Sequence, residues 1–449
     1  MKIFLAITLV AFASGPWSHA AGTKPNIIVI LADDQGYQDL GCQGAVGIRT
    51  PHIDRLAAEG IRLTGFYAGS TCSPTRAALL TGRYPQRYGI AGPVNNPNGG
   101  LPPSEITIAE LLKAQGYATG LIGKWHLGLP KEKSPVAQGF DYYSGVPLSQ
   151  IDHGPNPAHD SYWKRQWRIQ DAGGRDEVEY NPCEEEFTQR CTKESLAFID
   201  RNKDRPFFLY LAHLMVHHEI LASPGFVGKS AKGIYGDACQ ELDWSVGQVM
   251  DKLKQLGLDD NTLVVYASDN GGPSYLNCYP SYKNPKVVQT HPASNHPWRG
   301  HKGTTWEGGS RVPCIVRWPG RIPAGRVSDS LVGMVDFLPT IAGLTGAPLP
   351  GDRPVDGENI WPLLHGDTTA TTRRLHVYHG IWNPKETAVR VGPWKLVNGK
   401  QLFNLQEDPP ESRDVAARHP AILSGLQAYQ TRVAAALKAD QPLPPPPAP

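Results

Sequence analysis

The sequence predicts an α/β layer fold with a largely parallel, doubly wound sheet. Two observations carry this: apolar β-rich runs alternate with helical patterns along most of the 449 residues, and the strongest runs end abruptly in polar, oxygen-bearing pairs. Asn26 to Leu31 reads as the first strand. Thr50 can cap a helix that has Pro51 in its first turn, presents Ile53, Leu56 and Ala57 on one side, and stops at Gly60. Ile61 to Phe66 then returns as strand, and Ala118 to Ile122, Phe207 to Ala212 and Leu263 to Ala267 repeat the pattern. Helices are expected near Ile108 to Ala114, Phe187 to Asp200 and Tyr235 to Leu256. These elements belong to one large domain over 21–370.

Beyond that point the pattern shortens. Ala388 to Val391, Trp394 to Val397 and Leu402 to Asn404 are short strand candidates, followed by a helix around Ala421 to Leu437. They predict a small α+β subdomain over 371–440, with an antiparallel sheet. The stretch 441–449 is Pro-rich, cannot donate backbone hydrogen bonds regularly, and reads as a solvated tail.

Lys2, an apolar run from Ile3 to Ala13, and Ser18-His19-Ala20 read as a secretory signal peptide over 1–20, with a buried N-terminal helix as the weaker alternative. The run is too short to span a bilayer, and no later segment offers about 18 uninterrupted apolar residues. The expectation is an exported chain, periplasmic or secreted, without a membrane anchor. Lys plus Arg (44) nearly balance Asp plus Glu (42), so no global field recruits nucleic acid, and an anion must be caught by locally placed cations. Seven cysteines, at 42, 72, 183, 191, 239, 278 and 314, are an odd number for an oxidising compartment, which singles out one thiol for other chemistry. The remaining six could form three disulfides, fewer or none, and their spacing matches no zinc pattern.

Two oxygen-bearing pairs stand where strands end: Asp33-Asp34 after the first, and Asp269-Asn270 after Leu263 to Ala267. In open α/β sheets the carboxyl edge is where ligands bind, so residues distant in sequence converge there. Three carboxylates and an amide are hard donors suited to calcium, with magnesium second, rather than zinc. Either pair alone serves equally well as a turn or helix cap. The glycines that follow at Gly36 and Gly271 favour the metal reading of the two together.

Residues 72–83 read Cys-Ser-Pro-Thr-Arg-Ala-Ala-Leu-Leu-Thr-Gly-Arg. Ser73 can cap and Pro74 can begin a helix, leaving Cys72 just outside its positive end, where an ordinary thiol would be acidic and reactive, or simply buried and inert. This segment resembles the modification signature of the formylglycine-dependent sulfatases. The resemblance extends over nearly the whole mature chain, from Pro25-Asn26-Ile27 and Thr50-Pro51-His52-Ile53-Asp54 to the far side of the large domain. It implies an alkaline-phosphatase-like sandwich with a large mixed, mainly parallel sheet. It also implies that a formylglycine-generating maturation enzyme oxidises Cys72 to an aldehyde, whose hydrate is the nucleophile beside a calcium ion held by Asp33, Asp34, Asp269, Asn270 and residue 72 itself.

Further segments carry the resemblance. Residues 116–128, Gly-Tyr-Ala-Thr-Gly-Leu-Ile-Gly-Lys-Trp-His-Leu-Gly, resemble the family's second signature and supply Lys124 and His126. Phe207 to Ala212 followed by Val216-His217 resembles the strand and loop with a further catalytic histidine; that role is assigned to His217, with His213 and His218 as competitors. Residues 299–309 resemble the segment that delivers the last lysine, Lys302, although His301 stands where the family commonly has glycine. The resemblance implies that Arg76, Lys124 and Lys302 stabilise charge developing on a sulfate ester, that Lys302 or His217 protonates the departing alcohol, and that His126 deprotonates the second hydroxyl so that sulfate is expelled.

The sequence also resembles, in residues 221–226 and 233–238, the N-acetylgalactosamine-6-sulfatase and arylsulfatase A branch, which implies a sulfated sugar or an aryl sulfate as substrate. The loop over 145–155 points the same way and offers Ser149 and His153 as sulfate or sugar contacts. A phosphatase or phosphonate monoester hydrolase on the same kind of sheet, and a catalytically silent binder of sulfated glycans with an unmodified Cys72, are the alternatives.

Overall fold

The computed structural model describes residues 24–96, 98–149, 166–218, 220–274, 293–367, 369–370, 375–381 and 386–447. The segment 1–20 read as a signal peptide, His153 and Cys278 lie outside the described residues.

The chain runs through strands β1 (Asn26–Ala32), β2 (Ile61–Leu63), β3 (Phe66–Tyr67), β4 (Ala118–Lys124), β5 (Tyr142–Val146), β6 (Gln166–Asp171), β7 (Asp176–Tyr180), β8 (Phe207–Ala212) and β9 (Thr262–Ser268). It continues through β10 (Cys314–Arg317), β11 (Arg326–Ser328), β12 (Val332–Gly333), β13 (Leu375–His379), β14 (Thr387–Val391), β15 (Trp394–Val397) and β16 (Gln401–Asn404). The helices are α1 (Pro51–Ala58), α2 (Cys72–Thr81), α3 (Ile108–Ala114), α4 (Phe187–Arg201), α5 (Gly233–Gln255), α6 (Glu307–Ser310), α7 (Phe337–Thr345), α8 (Trp361–His365) and α9 (Pro420–Lys438).

Ten strands form the main sheet in the order β11-β2-β10-β9-β1-β8-β4-β5-β6-β7. Its centre, from β9 through β1, β8 and β4 to β5, is parallel, while β10 joins β9 and β2, and β6 joins β5 and β7, antiparallel. The predicted class is therefore what the chain adopts, a mixed and mainly parallel sheet. A second sheet of four antiparallel strands, β13-β14-β15-β16, packs with α9.

Both faces of the main sheet are covered, which is why its central strands read as continuous apolar runs rather than alternating ones. Ile27, Val29 and Leu31 of β1 pack on one side with Leu79 and Leu80 of α2 and Leu338 of α7; Ile28 and Ile30 pack on the other with Leu56 of α1 and Leu242 and Val246 of α5. Each such side chain contributes about 1.5–3 kcal/mol on burial.

Local signals were redirected at two places. Thr50 does not cap α1; its hydroxyl donates to Asp54 and accepts from the Gly41 amide. The amides of His52 and Ile53 are capped instead by the carboxylate of Asp243, from α5, at 3.3 and 2.8 Å. Likewise Ser73 does not cap α2, because its hydroxyl donates to the His126 carbonyl and accepts from the Val94 amide. The helix begins one turn position earlier, so Cys72 is its first residue rather than outside it. Among the described residues the six cysteines are all free thiols. No described helix is long and apolar enough to cross a membrane.

Candidate active site

The register of the central strands assembles the site. Leu31 of β1 lies opposite Ala212 of β8, and Ala32 opposite Ser268 of β9, so the chain leaves all three strands at one level. Asp33-Asp34 and Asp269-Asn270 follow directly, tied together by Asp269 N donating to Ala32 O (3.0 Å) and Asp34 N to Asp269 Oδ1 (3.2 Å). β4 ends on Lys124 at the same edge. Its Gly123 has φ 105°, and a β-carbon there would fall 1.9 Å from the Ala212 carbonyl, so only glycine lets β4 turn this tightly against β8.

Three cations enter the acidic cluster, and all six groups are buried. Arg76 donates from Nη2 to Asp269 Oδ2 at 2.8 Å, lies 3.5 Å from Asp33 Oδ2, and ties Nη1 to the Lys124 carbonyl at 2.9 Å. Lys124 Nζ reaches Asp33 Oδ2 at 2.5 Å. Lys302 Nζ sits 2.8 Å from the Asp34 carboxylate, and Asn270 Nδ2 donates to Asp34 Oδ1, also at 2.8 Å. His217 Nε2 is 3.9 Å from Asp34 Oδ2, and Asp33, Asp34 and His217 present ligand atoms all within 4.8 Å of one another. Cys72 Sγ lies 3.2 Å from His126 Nδ1. Asp34 (φ 65°) and His126 (φ 55°) both occupy the left-handed region, uncommon for residues with a β-carbon and concentrated at functional sites.

The residues singled out from sequence thus converge: Asp33, Asp34, Asp269 and Asn270 with Arg76, Lys124, Lys302 and His217, beside the Cys72–His126 pair. Of the competing histidines, His213 turns away to Ser245 of α5 (3.2 Å), and His218 stacks on His217 with ring centroids 4.6 Å apart. Ser149 follows β5 in a segment that runs beside β4's exit, where the amides of Trp125 and His126 donate to the carbonyls of Val146 and Pro147. Its hydroxyl is buried and has no hydrogen-bond partner among the described residues.

Electrostatics differentiate the acids. Burial raises every carboxyl here, but Lys124, Arg76 and Lys302 outweigh it at Asp33 and hold that group below the usual carboxylate range. Asp269, raised by burial and by Asp33, goes up to about 7, and Asp34 is raised by burial too. Burial followed by the nearby cations pushes His126 and His217 well below the ordinary histidine value, so both imidazoles are neutral and one nitrogen of each can accept a proton. The acidic thiol expected at a helix entry is not what forms: burial pushes the Cys72 thiol up, and Lys124 and Lys302 compensate only in part. As a plain thiol, Cys72 would be a poor nucleophile in this pocket.

The donor set fits a hard divalent cation. Asp33 Oδ1 and Asn270 Oδ1 are buried oxygens with no hydrogen-bond donor among the described residues, and Asp33, Asp34, Asp269 and Asn270 offer oxygen only. With all three carboxylates ionised, as metal ligands must be, they balance Arg76, Lys124 and Lys302, so a divalent ion would leave the pocket positive and suited to an anion. Sequence reading missed Glu307, Lys395 and Glu411, a fully buried charged group directly behind the loop that carries Lys302. Each looks like an ordinary surface residue in its own segment.

Comparison with known proteins gives the family. A sulfatase family profile matches residues 25–347, and one described as N-sulphoglucosamine sulphohydrolase, C-terminal, matches residues 295–422. Steryl-sulfatase of Mus musculus is 39% identical over 418 residues, covering 77% of this chain and 66% of the mouse protein. N-acetylgalactosamine-6-sulfatase of Canis lupus familiaris is 39% identical over 393 residues, covering 83% of this chain and 72% of the dog protein. The crystal structure of a Pseudoalteromonas sp. sulfatase superposes with a TM-score of 0.81 at 29% identity, covering 94% of this chain and 92% of that one. The chain belongs to the sulfatase family, the sulfuric ester hydrolases.

Proposed function

We propose that this sulfatase hydrolyses the sulfate monoester of a sulfated sugar or glycan, using formylglycine made from Cys72 and a calcium ion bound by Asp33, Asp34, Asp269 and Asn270. The observation that carries the reading is the convergence of three buried cations and three buried carboxylates on the Cys72–His126 pair. A calcium ion held there would supply polarisation of a sulfate oxygen, and the hydrated aldehyde at position 72 would supply the attacking hydroxyl.

The chain's own side chains do the rest. Lys124 and Lys302, fixed by Asp33 and Asp34, stabilise charge that grows on the sulfate and on its leaving oxygen, a stabilisation greater in the transition state than in the ground state. Arg76 holds Asp269 and Asp33 in position and anchors β4's last residue. Once the sulfuryl group has passed to one hydroxyl of residue 72, neutral His126, in contact with that residue through Nδ1, accepts the proton of the second hydroxyl, so that sulfate is expelled and the aldehyde restored. Of the two candidates, Lys302, the ammonium group paired with Asp34, delivers the proton to the departing alcohol, since burial and the neighbouring cations leave the His217 imidazole neutral. Ser149, with its unpartnered buried hydroxyl, is a candidate contact to the sulfate or the adjoining sugar. The chain is exported and matured by a formylglycine-generating enzyme.

The dog relative's name favours an amino sugar sulfate and the mouse relative's a steroid sulfate, so substrate is decided by kcat/KM on galactosamine 6-sulfate, glucosamine 6-sulfate, a steroid sulfate, an aryl sulfate and an aryl phosphate at fixed pH and calcium. Preference for the galactosamine ester is expected; preference for the steroid or the phosphate overturns the assignment. Cys72→Ala should remove turnover of every sulfate without unfolding the protein, and retained activity would refute the mechanism.

A further inference from the structure

The loop over 299–306 that carries Lys302 has little regular structure of its own, yet it delivers an ammonium group to within 2.8 Å of Asp34. What fixes it comes from behind. Arg299, at its start, donates from Nη1 to the backbone carbonyl of Glu411 (2.8 Å), and the amide of Glu307, at its end, donates to the Glu411 carboxylate (2.8 Å). One residue, 104 positions further along the chain from Glu307, therefore holds both ends of the loop.

That residue is itself held. Glu411 is fully buried and sits at φ 56°, a conformation its β-carbon disfavours, stabilised by its amide donating to Asp408 O (3.0 Å). Lys395 of β15, also fully buried, bridges Glu411 (Nζ to Oε1 2.7 Å, an ion pair rather than an aligned hydrogen bond) and Glu307 Oε1 (2.9 Å). Glu307 is further fixed by the hydroxyl of Tyr378 in β13 at 2.6 Å and by the hydroxyl of Tyr67. On the side facing the site, the Lys302 amide donates to Gly272 O at 3.2 Å and the Gly303 amide to Ser70 O at 2.8 Å, two residues before Cys72. Glu411, in the segment that follows the small sheet and paired with Lys395 of that sheet, is thus bonded to the Arg299 side chain and to the Glu307 amide, on either side of Lys302.

We propose that Glu411 is a positioning residue for Lys302: it clamps the 299–307 segment, with Lys395 as its counter-ion, so that the ammonium group stands where the leaving oxygen departs. This rests on the sulfatase reading given above. A buried carboxylate used this way sets geometry rather than chemistry, and an error of about 1 Å in the lysine's place would cost most where leaving-group charge is greatest. The signature is accordingly a loss that depends on the leaving group. An alkyl or sugar sulfate, whose oxygen leaves with nearly a full charge, needs Lys302 more than an aryl sulfate whose charge delocalises into its ring.

The test compares Glu411→Ala, Glu411→Gln and Arg299→Met with the parent protein by hydrogen exchange and by kcat/KM. In Glu411→Ala and Arg299→Met the amides of residues 303, 307 and 308 should exchange roughly tenfold or more faster, while those of β1 and α5 stay unchanged. Glu411→Gln, which keeps an oxygen to accept from Glu307 N, should restore most of the protection. For Glu411→Ala, kcat/KM should fall roughly tenfold further on the sugar sulfate than on 4-nitrophenyl sulfate. Parent-like exchange in this segment, or equal losses on the two substrates, would overturn the proposal; Arg299→Met, altered at an exposed residue, supplies the exchange result if Glu411→Ala does not fold. If the parent protein cleaves neither sulfate, the sulfatase reading fails, and exchange alone decides the clamp.

Discussion

Lys124→Met removes one cation from the site while nearly preserving side-chain length and volume, so its consequences are electrostatic rather than steric. Lys124 is fully buried and lies 2.5 Å from Asp33 Oδ2. Breaking a buried pair by deleting one partner costs about 3–5 kcal/mol, and the low end applies because Arg76 remains 3.5 Å from the same oxygen. In catalysis, loss of one preorganised charge-stabilising group costs about 10²–10³ in rate, or about 2.7–4 kcal/mol. Urea unfolding of the metal-free protein measures the first quantity and kcat/KM on the preferred sulfate the second, at a temperature where the variant is folded. The pH dependence adds a sign. Asp33 is held below its ordinary 3.8, so it contributes stability above that value and loses it as pH falls through the folded pKa. Lys124→Met weakens that contribution, so the stability gap between parent and variant should narrow as the solution is acidified below about 4. A folded variant that keeps kcat/KM within about tenfold of the parent would refute the role of Lys124, whatever its stability.

Elemental analysis of active protein should find calcium, or magnesium in second place, and no stoichiometric zinc; Asp269→Ala should lose the metal and the activity together, and retention of both would remove Asp269 from the ligand set. At the other face of the sheet, Asp243 is raised by burial from 3.8 to about 6 while it caps α1. A raised acid binds more protons folded than unfolded, so it costs stability as pH rises from about 4 to about 6. Asp243→Asn should flatten the pH dependence of stability in that window, as followed by denaturant midpoints, and an unchanged slope would show that Asp243 is not what titrates.

The part of this architecture legible in sequence is the part written locally. Central strands buried on both faces are unbroken apolar runs, and Asp33-Asp34 and Asp269-Asn270 stand where those runs stop, so the edge and its donors could be named before the register that levels them was known. Cys72, Arg76, Lys124, His126 and Lys302 were identified through resemblance to the family's motifs; nothing in their spacing alone requires them to meet. What escaped depends on partners far away in sequence. Thr50 and Ser73 have the right chemistry for caps, but Asp243 outcompetes one and the His126 carbonyl and Val94 amide engage the other. The Cys72 thiol is raised rather than lowered because burial outweighs its place at a helix start, and burial cannot be read from a dozen residues. Strands β5, β6, β7, β10, β11, β12 and β13 were not anticipated: β6 and β13, for example, mix polar with apolar residues, and pairing with their neighbours decides them. The Glu307–Lys395–Glu411 group was invisible for the same reason, since each charge is compensated only across the boundary between the two sheets.

The central claim is that position 72 acts as formylglycine rather than as cysteine, and the mass of the peptide containing residue 72, taken from protein matured in its own host, tests it most directly. The account predicts that sulfur and two hydrogens are replaced by one oxygen, or that the corresponding hydrate is found, in a fraction that scales with specific sulfatase activity across preparations. Fully active protein in which that peptide carries an intact cysteine would contradict it.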